Sequence, residues 1–139
     1  YLNKISGPLL DRIDLHVEVT PVAFNELSST NRSEKSESIR ERVIKAMEKQ
    51  TERYKDNPGV YCNAQMSSKM LKEICVITQA GSNLLKVAME KLNLSARAYD
   101  RILKVSRTIA DLAGSDDIKV EHLAEAIQYR SLDREGWAG

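Results

Sequence analysis

Leu94-Ser95-Ala96-Arg97-Ala98-Tyr99-Asp100-Arg101-Ile102-Leu103-Lys104-Val105 opens the stretch that decides the fold, which runs on through Arg107-Thr108-Ile109-Ala110-Asp111-Leu112 to Gly114. Ala98, Ile102, Val105, Ile109 and Leu112 recur at the three- and four-residue spacing of one helical face. Ser95 stands where a hydroxyl can cap the free N–H groups of the first turn, and Gly114 where a helix stops. The spacing predicts a long amphipathic helix over about 96–113, which must bury its apolar stripe against other elements.

Working outward, the neighbouring segments supply those elements. Leu84, Leu85, Ala88, Met89 and Leu92 predict a helix over about 79–93. Met66 and Leu71 flank Ser67 at the spacing of a hydrophobic staple, which starts a short helix over about 68–76 with Leu71, Ile74 and Cys75 inward. Val120, Leu123, Ala124 and Ile127 predict a closing helix over about 120–130. Upstream, Ile39, Val43, Ile44, Met47 and Tyr54 recur at helical spacing in a densely charged run from about 36 to 55, with Glu41 and Lys45 at a pairing distance. Asn57-Pro58-Gly59 ends that run in a turn. Short links between such stripes argue a helical bundle.

The first twenty residues differ. Gly7-Pro8-Leu9-Leu10-Asp11-Arg12 fits one helical turn with proline where its missing N–H is harmless. Ile13, Leu15, Val17 and Val19 then alternate with Asp14, His16 and Glu18, a strand period that Pro21 ends. No convincing partner strand follows, so the expected strand 13–19 belongs to a sheet outside this chain. The chain starts at Tyr1 and reads as part of a longer protein. The expected divisions are 1–20 as the edge of another domain, 21–35 as a polar connector, 36–130 as the helical domain and 131–139 as a tail.

Composition narrows the function classes. Apolar residues make up 42% of 139, and 21 basic residues against 20 acidic ones leave a net charge of +1. That balance fits a globular domain and excludes both a disordered polyelectrolyte and a generally basic nucleic-acid coat. No apolar run approaches the roughly 18 residues that cross a bilayer, and two cysteines make no disulfide framework, so a cytoplasmic setting without membrane contact is expected. Phosphate-binding loops, dinucleotide fingerprints, zinc-protease and serine-hydrolase motifs are absent. His16 falls on the polar face of the expected strand and His122 in the first turn of a helix, both readable as surface histidines. Cys62 and Cys75 lack histidine neighbours, and no metal site is expected.

Two arginines invite a functional reading. Arg97, Arg101 and Lys104 form a narrow stripe about 100° from the apolar one, with Arg107 further round. For Arg101 and Lys104 a solvated basic edge suffices. Arg97 occupies the first turn, where a cation opposes the helix dipole by roughly 0.3–1 kcal/mol. The same place attracts an anion, so a phosphate partner would turn the repulsion into a binding site. Arg12 stands where a helical turn gives way to the extended run; a salt bridge to Asp11 or Asp14 and a projecting functional role both fit it.

Tyr1 to Val19, above all Ser6-Gly7-Pro8-Leu9-Leu10-Asp11-Arg12-Ile13-Asp14-Leu15, resembles the end of the ATPase core in magnesium-chelatase-like AAA+ proteins. The stretch 94–112 resembles their sensor-2 helix, and His122-Leu123-Ala124-Glu125-Ala126-Ile127-Gln128-Tyr129-Arg130 their closing helix. The combination is similar to the C-terminal lid of the bacterial competence family known as ComM or YifB. The resemblance implies a mainly α lid domain with a one-strand remnant of the α/β core. It places Arg12 at the arginine-finger position, acting in trans on a neighbour's ATP, and Arg97 at the sensor-2 position, reading its own subunit's ATP phosphates; Arg101 is a secondary nucleotide candidate. It further implies ATP and Mg²⁺ as cofactors of the longer protein, with none held by this segment alone. Its partners would be its own AAA+ core, neighbouring subunits of a hexameric ring, and DNA during recombination or transformation. The phosphate-binding loop lies outside these residues, so the segment alone is expected not to hydrolyse ATP. Three other readings stay open: a free-standing helical nucleic-acid-binding domain using the Arg97–Arg101–Lys104 stripe, a magnesium-chelatase-type protein-remodelling subunit, and an interaction module pairing through strand 13–19.

Overall fold

The computed structural model of the protein describes residues 4–19, 21–28, 30 and 33–130. The expected tail 131–139 and parts of the polar connector lie outside them. Among the described residues there are seven α-helices: α1 Gly7–Arg12, α2 Phe24–Leu27, α3 Ser36–Arg53, α4 Ser68–Ile74, α5 Gln79–Lys91, α6 Ala96–Leu112 and α7 Val120–Gln128, with a 3₁₀ turn at Asn63–Gln65. The architecture is mainly α, as the apolar spacing requires.

Caps set the boundaries. The hydroxyls of Ser67, Thr78 and Ser95 accept the N–H of Met70, Gly81 and Ala98, opening α4, α5 and α6. α6 closes on Gly114 at φ 72°, with Ser115 N–H donating to Ala110 O and Gly114 N–H to Asp111 O. This double bond satisfies the last carbonyls, and the left-handed residue it needs favours glycine. α5 closes the same way on Asn93, at φ 49°. That turn takes two residues from the expected end of the helix.

α6 is the axle of the bundle, packing against α7, α3, α4, α1 and the 3₁₀ turn. Ile102, Ala110, Leu123 and Ala126 from α6 and α7 meet Leu71, Cys75, Leu85, Tyr54 and Met66 in one core. Met66 and Leu71, the two ends of the expected staple, are both buried there. α5 lies close on α7: a Cβ placed on Gly81 would stand 2.7 Å from Leu123 Cδ1. An isolated parallel bridge between Ile77 and Ile118 ties the α4–α5 link to the α6–α7 link.

The expected strand over 13–19 is not formed; no strand occurs among the described residues. Its backbone has no ladder partner, so alternation alone cannot make it a sheet. Leu15, Val17 and Val19 are exposed, and the residue that anchors the segment is His16, read from its polar alternation as a surface histidine. His16 is buried, its N–H donates to Tyr129 O at 2.7 Å, and its Nε2 lies 3.2 Å from Leu10 O. Arg130, at the end of α7, donates to Leu10 O and to Ile13 O. The segment is thus laid across the end of α7 by backbone and polar contacts. His122 is also buried, contrary to its surface reading, because its Nδ1 accepts the Lys119 N–H at 2.9 Å and so closes the start of α7.

Candidate functional site

The basic residues of α6 divide sharply. Arg101 pairs with Asp14, tying the extended segment to the helix. Lys104 donates to Ala64 O at 3.1 Å. Arg107 is buried, donating to Asp116 O, Ser115 O and the Asp111 carboxylate at 2.8–3.1 Å. Arg97 alone of these four is exposed, and among the described residues it has no hydrogen bond or ion pair. It sits in the first turn, two positions after the N-cap Ser95. Because the cap uses only one of the N–H groups, the positive end of a seventeen-residue helix remains open beside a free guanidinium.

Arg12 is the last residue of α1, exposed and likewise without a partner among the described residues. Neither salt bridge available to it in the sequence forms: Asp14 pairs with Arg101, and Asp11 lies 4.0 Å from Arg130. Arg12 stands two positions before Asp14, and Arg97 one helical turn before Arg101, so the Arg101–Asp14 clasp links the two segments that carry the candidate arginines. Beside the clasp runs a groove of about 660 Å³ between segment 14–17, α6 and α7, with Leu15, Val17, Val105, Ile109 and Tyr129 on its walls.

A buried polar network that the sequence reading missed fixes the other half of α6. Asp111 receives a two-pronged bond from Arg53 at 2.7 and 2.9 Å, one bond from Arg107 at 3.1 Å and one from the Asn63 amide at 2.9 Å. Asn63 Oδ1 accepts from Arg53 and from the Tyr54 hydroxyl, and its N–H donates to Gln50. Burial alone would push the Asp111 carboxyl up. The hydrogen bonds from Arg53 and Asn63 and the charges of Arg53 and Arg107 outweigh it, and the group lies below its ordinary value. Tyr54 is pushed up to about 12 and Cys75 to about 11, each chiefly by burial. The Cys75 thiol is therefore a small core hydrophobe and not a nucleophile. The one sequence signal for the network was the four-residue spacing of Arg107 and Asp111; nothing in the polar 57–65 turn announced Asn63.

Among the described residues the arrangement offers cations to an anion and no nucleophile–base pair. Among the described residues no cluster of histidine, cysteine and carboxylate side chains has the make-up of a metal site. Residues 33–130 match the family described as magnesium chelatase, subunit ChlI C-terminal. The chain belongs to that family. Residues 1–27 match the magnesium chelatase subunit ChlI family, and the two matches part within the polar stretch after α2. The chain is 46% identical to competence protein ComM of Haemophilus influenzae over 96% of its own length and 26% of that protein. It is 39% identical to the YifB proteins of Escherichia coli and Salmonella typhimurium, again over 96% of the chain and 26% of each. The chain thus spans about a quarter of the length of these relatives. No helix among the described residues is long and apolar enough to cross a membrane.

Proposed function

We propose that this chain is the nucleotide-responsive lid of an ATP-hydrolysing AAA+ ring motor, and that the longer protein remodels DNA in recombination or transformation. One observation carries the nucleotide part: of the four cations on α6, only Arg97 is left without a partner among the described residues, and it stands at the open positive end of the helix. A guanidinium beside free helical N–H groups fits a phosphate chemically, since both favour anionic oxygens. In this reading Arg97 senses the phosphates of its own subunit's ATP. Arg12, at the end of α1 and without a partner among the described residues, stabilises charge on the γ-phosphoryl group held by the neighbouring subunit, a role worth orders of magnitude in rate. ATP and Mg²⁺ are cofactors of the longer protein; the described residues here supply no ligand set for the metal. The DNA part rests on the likeness to a protein named for competence. The family's description favours a second reading, a chelatase-type subunit that remodels a protein; DNA-stimulated against protein-stimulated turnover separates the two.

The test is made in the longer protein that carries a nucleotide-binding core. Arg12→Ala and Arg97→Ala each lower ATP turnover with the fold retained. Mixing Arg12→Ala subunits with subunits that keep Arg12 but cannot bind ATP restores part of the turnover, because the finger acts across the interface. Unchanged turnover in both variants overturns the assignments, and no recovery in mixed rings makes Arg12 a structural residue.

A further inference from the structure

On α3 the charges are sorted by sign around the helix. At about 100° per residue, Glu37, Glu41, Glu48 and Glu52 fall within about 60° of one another, and Arg42, Lys45, Lys49 and Arg53 within about 80°. The basic strip flanks the buried line of Ala46 and Gln50, and three of its four members are engaged within the chain: Arg53 with Asp111, Lys49 with Asp116 at 3.8 Å, Arg42 with Glu34; Lys45 is exposed and has no ion pair among the described residues. The acidic strip lies toward solvent. Glu52 pairs with Lys55, but Glu37, Glu41 and Glu48 have no cation partner among the described residues, and the Glu41–Lys45 pair that the spacing suggested is not closed. Between the acidic strip and the bundle runs an apolar face: Ile39, Val43, Ile44 and Met47 are each 43–48% exposed. Val43, Ile44 and Met47 line a shallow depression of about 330 Å³ whose rim carries Glu48 and Glu52.

We propose that this face of α3 is a docking site for an amphipathic helix of a partner protein that carries lysine or arginine along one edge of its apolar ridge. An acidic margin with three of its four carboxylates unpaired among the described residues, beside an open apolar strip, is the complement of such a helix, and the opposite charges fix its orientation. A second copy of this chain fits poorly, since antiparallel pairing of two α3 faces would set acidic edge against acidic edge. Arg40 lies on the strip itself, one turn before Ile44, so the docking surface is the Val43–Met47 part beyond it.

The probe is a labelled helical peptide of about 18 residues, five turns, with leucines at three- and four-residue spacing and lysines along one edge. Its binding to the full chain is measured by fluorescence anisotropy against the same peptide with glutamates in place of the lysines. The lysine peptide binds roughly tenfold tighter at low salt and loses that margin at high salt. Glu41→Lys with Glu48→Lys inverts the preference, and Ile44→Ser with Met47→Ser weakens both peptides, circular dichroism being unchanged in each. Equal or absent binding of the two peptides to the unaltered chain overturns the proposal. So does self-association of the chain that the Met47→Ser variant abolishes.

Discussion

Replacing Asp111 by asparagine tests the polar network at its centre. The change keeps the shape but removes the one anion between Arg53 and Arg107, whose side chains are 20% and 5% exposed. It also brings an amide nitrogen up to donors that need an acceptor. A buried ion pair broken from one side leaves uncompensated charge and typically loses about 3–5 kcal/mol. For a chain of this size that is a fall in melting temperature of roughly 10–20 °C. The pH dependence gives an independent check. The folded carboxyl lies below its ordinary value of 3.8, so its contribution is complete above that value and is lost as pH falls through the lower folded-state one. Calorimetric melts of the full chain at a series of pH values should therefore show a large gap at neutral pH that narrows in acid below about 3.8. A gap under about 3 °C at neutral pH, or one independent of acid, would refute the reasoning. The exposed Glu34–Arg42 pair is the internal control: Glu34→Gln leaves the melting temperature unchanged, because solvent screens it.

Other outcomes follow from single contacts. Ser95→Ala removes the α6 cap and lowers stability by about 1 kcal/mol in denaturant unfolding. Arg97→Glu stabilises the helix by roughly 0.3–1 kcal/mol in the same assay while lowering ATP turnover in the longer protein, opposite signs that a purely structural arginine would not give. Gly81→Ala destabilises because its Cβ meets the buried Leu123; in a Leu123→Ala background the sign reverses, since alanine is the better helix former by about 1 kcal/mol.

What the sequence revealed and what it hid follow from the range of the forces involved. The helices of the bundle were legible because each buries an apolar face, and burial leaves a local period in the chain. Caps at Ser67 and Ser95 and the stop at Gly114 were legible for the same reason: each acts on residues three to five positions away. The 13–19 run misled because its alternation is real but its partner is not in the described residues; what holds it instead is His16 and Arg130, contacts across more than a hundred positions. Asp111 and Asn63 were hidden likewise, because a polar side chain's burial depends on partners that no local pattern reports. Arg97 stood out because the helix dipole penalises it locally, without reference to any distant partner. Its neighbour Arg101 carried no such penalty, and only the fold shows what it holds.

Arg101 has two possible uses under the nucleotide reading, and they make opposite predictions. As a phosphate ligand it would have to release Asp14, so Asp14→Asn would free a cation and lower the KM for ATP. As a positioning residue it would need Asp14, since the clasp fixes the start of the segment that follows Arg12. Asp14→Asn and Arg101→Ala would then lower kcat alike, with KM unchanged, and mixing with subunits that keep Arg12 would restore turnover in both. The loss should be smaller than the thousandfold or more expected for Arg12→Ala, of the order of the hundredfold that an ångström of misplacement produces. The structure favours positioning: the guanidinium is already engaged, and its partner lies on the segment that a finger must keep still to act across an interface. A KM for ATP that falls in Asp14→Asn and rises in Arg101→Ala would reverse that assignment and leave the clasp as a gate on the nucleotide.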